Sequence, residues 1–148
     1  NFAQPEIMPD ILESGTLNVP GIAGLAQGVR YVTENQKQIT AHELELAGLL
    51  GEELRRINNV RVYSPLYPES GVVLFNIAGV DCTDVADILD KEYDIACRAG
   101  FHCAPLAHRA IGTDCQGGVR FSIGWSNTVD DIEQSVLAVK EIASVEAF

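Results

Sequence analysis

The chain has 148 residues, 47% hydrophobic and 21% charged, a balance that suits one globular domain and excludes intrinsic disorder. Its net charge of −11 argues against nucleic acid as a partner, because a phosphate backbone calls for a basic face. No apolar run reaches the roughly 18–20 residues that cross a bilayer, so no membrane is expected, and Cys82, Cys97, Cys103 and Cys115 read as cytoplasmic thiols rather than a disulfide frame.

Residues 1–15, with Pro5, Glu6, Pro9, Asp10 and Glu13, read as a surface connection. Ser14-Gly15-Thr16-Leu17-Asn18 then leads into Pro20, which suits the first turn of a helix capped by Asn18 or Val19 and ending near Asn35. A second helix is expected from Thr40, where Thr40-Ala41-His42-Glu43 has the capping-box pattern. Leu44, Ala47, Leu50, Leu54 and Ile57 form its apolar face, and Asn58-Asn59 ends it. Val60–Ser64 and Val72–Ile77 read as strands, parted by Pro65, Pro68 and Gly71. The run from Asp81 to Lys91 predicts a short helix with Val85, Ile88 and Leu89 inward.

Further along, Asp94–Arg98 is a strand that delivers the chain to Gly100, and Pro105–Ile111 is a short helix ended by Gly112. Gly117-Gly118 introduces a strand from Val119 to Gly124, and Thr128-Val129-Asp130-Asp131 caps a last helix with Ile132, Val136, Val139 and Ala143 on one face. Strands and helices without strict βαβ alternation predict an α+β fold, a small antiparallel sheet covered by helices on one face.

The chemistry gathers in Arg98-Ala99-Gly100-Phe101-His102-Cys103-Ala104-Pro105 and in Gly118-Val119-Arg120-Phe121-Ser122. A cysteine reacts as its thiolate, which nearby cations or a helix N-terminus favour, so Cys103 is the expected nucleophile and His102 a group that supports its thiolate or merely packs. Cys97 reads as core, and Cys82 and Cys115 as turn residues without a comparable setting. Arg120, between apolar neighbours on a strand, points to the face opposite them, either into solvent or towards an anion. A guanidinium fork takes a carboxylate bidentately, which suits an amino-acid or keto-acid substrate, and Arg98 is a second anion contact or an ion-pair partner. Thr16, just before a helix, belongs to a phosphate-binding turn or a simple capping turn. His102 and His108 with Cys103 and Cys115 lack paired zinc spacings, so no metal is expected, and His108 reads as a helix-surface residue.

In these segments the chain resembles the C-terminal part of cysteine desulfurases, within the class V aminotransferase group of pyridoxal-phosphate (PLP) enzymes of fold type I. The resemblance rests on Glu13-Ser14-Gly15-Thr16-Leu17-Asn18 with Gly21-Ile22-Ala23-Gly24-Leu25, on Arg98 to Pro105, and on Gly118 to Ser122 with Asn127-Thr128. It implies that Cys103 takes sulfur from PLP-bound L-cysteine as a persulfide, leaving L-alanine. Arg120 would bind the substrate carboxylate with Arg98 close by, and Thr16 the PLP phosphate of the partner subunit in a homodimer. It further implies a sulfur-acceptor protein and a role in iron–sulfur or thiol-cofactor assembly.

By the same resemblance, residues 1–35 are a connecting segment and helix leading from an absent large domain, and 36–148 the C-terminal small domain. Neither Lys37, Lys91 nor Lys140 stands in the family's Schiff-base motif, so the chain alone is expected to be inactive. Phe101 stands where this branch often has histidine. A selenocysteine lyase, another class V aminotransferase or a non-enzymatic thiol- or metal-binding module are the alternatives.

Overall fold

The computed structural model describes residues 6–12 and 15–145, and residues 1–5, Glu13 and Ser14 of the predicted connection lie outside them. The chain divides into two compact units, Asn1–Gln36 and Lys37–Phe148. Its elements are a 3-10 turn at Asp10–Leu12, then α1 (Val19–Arg55), β1 (Val60–Val62), β2 (Val72–Ile77) and α2 (Cys82–Tyr93), followed by β3 (Arg98–Gly100), α3 (Pro105–Ile111), β4 (Gly118–Ser122) and α4 (Val129–Val145). Among the described residues no helix is long and apolar enough to cross a membrane.

In the first unit α1 begins where expected. Asn18 caps it, its side-chain oxygen accepting from the Gly21 N–H at 3.1 Å. Val19, Ile22, Leu25, Val29 and Val32 are all exposed along this stretch.

The two predicted helices are one. Asn35 does not end a helix but donates its side-chain N–H to the Tyr31 carbonyl at 2.8 Å, and Thr33 bonds back to Val29 in the same way. Gln36-Lys37-Gln38-Ile39 contains no glycine or proline and several strong helix formers, so nothing interrupts the ladder and Thr40 is an interior residue rather than a cap. The helix gives way after Arg55, and Asn59 takes a positive φ of 68°.

The second unit is built on a four-stranded sheet in the order β1-β2-β4-β3, with every neighbouring pair antiparallel. Period-two alternation puts Val73, Phe75 and Ile77 of β2 and Val119 and Phe121 of β4 on one face. Against them lie Leu46, Ala47, Leu50 and Leu54 of α1, Val85 and Leu89 of α2, and Ile132, Val139 and Ile142 of α4, all in one buried cluster. Burying each such aliphatic side chain contributes about 1.5–3 kcal/mol, so this face holds the sheet rigid and leaves the other free for chemistry.

The caps are local and legible. Asp81 caps α2 by accepting from the Thr83 N–H at 2.8 Å. Thr128 and Asp131 bond reciprocally at the start of α4: Asp131 accepts from the Thr128 N–H at 2.8 Å and donates its own N–H to the Thr128 hydroxyl at 3.3 Å. Two further expectations are corrected. The strand expected from Asp94 starts only at Arg98, because Asp94 closes α2 in a left-handed conformation with φ 56°. Cys82 is not in a turn but opens α2, buried, with its Sγ–H donating to the Gln116 carbonyl at 3.2 Å.

Candidate active site

β3 and β4 place Arg98 directly opposite Arg120, on the sheet face away from the core. Cross-strand partners sit roughly 4.5–5.5 Å apart at Cβ, and like charges there repel. Arg98 is exposed, Arg120 is half-buried, and the Arg120 Nε is buried with no hydrogen-bond partner. Among the described residues neither guanidinium is paired with a carboxylate. Two unpaired cations side by side favour an anion between them.

At the glycine pair the chain comes close to its own backbone. A Cβ on Gly117, whose φ is +67°, would fall 2.8 Å from the backbone of Gly100. Gly100 itself has φ 99°, and from it the chain enters a tight turn in which the Ala104 N–H donates to the Phe101 carbonyl at 2.9 Å. The two central residues, His102 and Cys103, have φ of 53° and 56°, the sign pattern of a type I′ turn. Neither is glycine, and left-handed backbone costs about 1–2 kcal/mol at each. Cys103 is exposed at this tip, two residues ahead of α3, and carries no disulfide.

Something holds the turn. His108 is buried at 3% exposure, not on the helix surface as its sequence setting predicts, and fully buried Thr113 lies against it. Gly112 ends α3 in the left-handed region, folding the chain back so that the Thr113 hydroxyl meets His108 Nδ1 at 2.6 Å. His108 Nε2 lies 3.3 Å from His102 Nδ1, and His102 Nε2 lies 3.3 Å from the Arg98 carbonyl. The two imidazoles stack with centroids 5.5 Å apart, and the Phe101 ring meets His108 edge-on. Burial, with the positive charges of Arg120 and Arg98 nearby, pushes the His102 pKa below its ordinary value, against the bond to the Arg98 carbonyl, which works the other way.

The sequence reading singled out His102 but missed Thr113 and the buried position of His108. A glycine closing a short helix, followed at once by threonine, was the available signal.

The remaining thiols differ. Burial, aided by Asp90, pushes Cys97 up to about 11, and burial raises Cys82 as well. Thr16 lies in the first unit, exposed, ahead of the N-terminus of α1, where a hydroxyl and a helix end suit a phosphate. No lysine belongs to the β3–β4 segment: Lys37 is exposed on α1, Lys91 pairs with Asp87 on α2 at 2.6 Å, and Lys140 is exposed on α4.

Aminotransferase class-V sequences match residues 3–134 of the chain. The chain belongs to the class-V aminotransferase family. A probable cysteine desulfurase of Methanothermobacter thermautotrophicus is 32% identical over 142 residues, covering 95% of this chain and 36% of that protein. One from Xylella fastidiosa is 34% identical over 137 residues, covering 90% and 32%. Among solved structures, the apo cysteine desulfurase of Thermococcus onnurineus superposes with a TM-score of 0.79 at 34% identity, over 93% of this chain and 34% of that one. A cysteine desulfurase of Escherichia coli gives 0.76 at 30% identity, over 93% and 33%. The chain spans about a third of the length of the class-V relatives it matches.

Proposed function

We propose that this chain is the sulfur-accepting, C-terminal part of a PLP-dependent cysteine desulfurase. The observation that carries the reading is the unpaired Arg98–Arg120 pair beside a turn that presents Cys103. Arg120, set in the sheet with its Nε unsatisfied, takes the substrate carboxylate, and Arg98 adds a second cation across the ladder. PLP, where bound, supplies the electron sink that weakens the bond between substrate carbon and sulfur. Cys103 then attacks that sulfur: an S–S bond forms on Cys103, the substrate C–S bond breaks, and the substrate carbon gains a proton. A thiol and L-cysteine thus become a persulfide and L-alanine, with no external oxidant.

The attachment lysine comes from residues outside this chain, and Thr16 contacts the phosphate of PLP held by a second copy. A cytoplasmic protein acceptor, such as one serving iron–sulfur assembly, then removes the sulfur. The test is kinetic, on a protein of the relatives' full length carrying this chain. Arg120→Lys keeps the charge but loses the fork, so KM for L-cysteine should rise about tenfold or more. An unchanged KM would remove Arg120 from substrate binding.

A further inference from the structure

We propose that His108 and Thr113 are positioning residues that fix the tautomer of His102 and thereby lock the turn presenting Cys103. The inference deepens the reading of Cys103 as a nucleophile, but its test uses no turnover, so the two fail separately.

The ring nitrogens can be assigned from one end of the chain. The Arg98 carbonyl only accepts, so His102 Nε2, 3.3 Å away, carries its proton. Neutral His102 then has a lone pair on Nδ1, and His108 Nε2 at 3.3 Å must be the donor to it. That leaves His108 Nδ1 as an acceptor, which the Thr113 hydroxyl satisfies at 2.6 Å. Were Thr113 to donate instead to the His108 carbonyl, the longer contact at 3.4 Å, His108 would present a lone pair to the lone pair of His102. A cationic His102 would relieve that clash, but it is partly buried and faces Arg120 and Arg98 with no carboxylate against it among the described residues. Only one neutral arrangement satisfies all four nitrogens.

Its mechanical consequence follows from where the members sit. Thr113 and His108 are buried in the α3 segment, whereas His102 is a central residue of the turn with φ 53°. Strained left-handed backbone at two non-glycine positions persists only where its surroundings over-determine it. The chain of donors running from Thr113 to the Arg98 carbonyl ties the turn at His102 to α3 on one side and to β3 on the other. Phe101, which cannot relay a proton, closes the edge of His108.

Nitrogen NMR and amide exchange on the 148-residue chain test this. In the wild type both Nδ1 atoms should be unprotonated at neutral pH. Thr113→Val removes the terminal donor at nearly constant volume, and the Ala104 amide, which closes the turn, should exchange about tenfold faster while core amides such as Phe75 keep their protection. Thr113→Ser restores the hydroxyl and should return both signals to wild type. His108→Gln should mix the His102 tautomers wherever the variant folds. A wild-type His102 protonated on Nδ1, or a folded Thr113→Val chain with unchanged Ala104 exchange, would overturn the proposal.

Discussion

Cys97 and Cys103 are near neighbours in sequence with opposite surroundings. Cys97 packs against the core and is pushed up to about 11 from an ordinary 9, so at pH 8 its thiolate is about a hundredfold scarcer than that of an ordinary thiol. Cys103 stands at an exposed turn tip. Iodoacetamide at pH 8, followed by peptide mapping, should therefore label Cys103 and exposed Cys115 long before Cys97 and Cys82. Equal labelling of Cys97 would place it outside the core. His102 gives a pH test of the same turn. Its folded pKa lies below 6.5, so below that pH the unfolded chain binds a proton that the native state resists. The native turn therefore loses stability as pH falls below 6.5 and levels off only beneath the folded pKa. Nitrogen shifts of His102 should titrate with a midpoint under 6.5; a midpoint at or above it would contradict its burial beside the Arg120 and Arg98 cations.

At the scale of elements, the sequence was most legible where a residue's backbone demands a boundary. Pro105 and Gly112 bracket α3 as expected, and Asp81 and Thr128 cap their helices. It misled where side-chain pattern stood in for continuity. Thr40-Ala41-His42-Glu43 has a cap's spelling but lies inside α1, since nothing before it stops the helix. Thr40→Ala separates the two cases: an N-cap would lose about 1 kcal/mol, whereas an exposed interior site should change by less than about 0.5 kcal/mol or gain. Chemical denaturation measures this, and a loss near 1 kcal/mol would argue for two helices. His108 was unreadable for a different reason. A seven-residue helix is too short for its periodicity to separate buried from exposed faces, and burial here is decided by Thr113 and Phe101.

Over the whole molecule, each unit leaves something unsatisfied. The first exposes Val19, Ile22, Leu25, Val29 and Val32 along one helix, and the second holds a pair of arginines with no counter-ion among the described residues, on a sheet otherwise anchored by its core face. The candidate pair was legible in the sequence because alternation in Val119-Arg120-Phe121 dictates which way Arg120 points. The turn's left-handed backbone was not, since neither His102 nor Cys103 announces a positive φ.

The sulfur-accepting role of Cys103 is tested most directly by peptide mass spectrometry on a protein of the relatives' full length carrying this chain, after incubation with PLP and L-cysteine and trapping of persulfides. One added sulfur on Cys103, absent in Cys103→Ala together with loss of alanine production, is the expected result. Alanine formed at an unchanged rate by Cys103→Ala, or the added sulfur found on Cys115 instead, would contradict it.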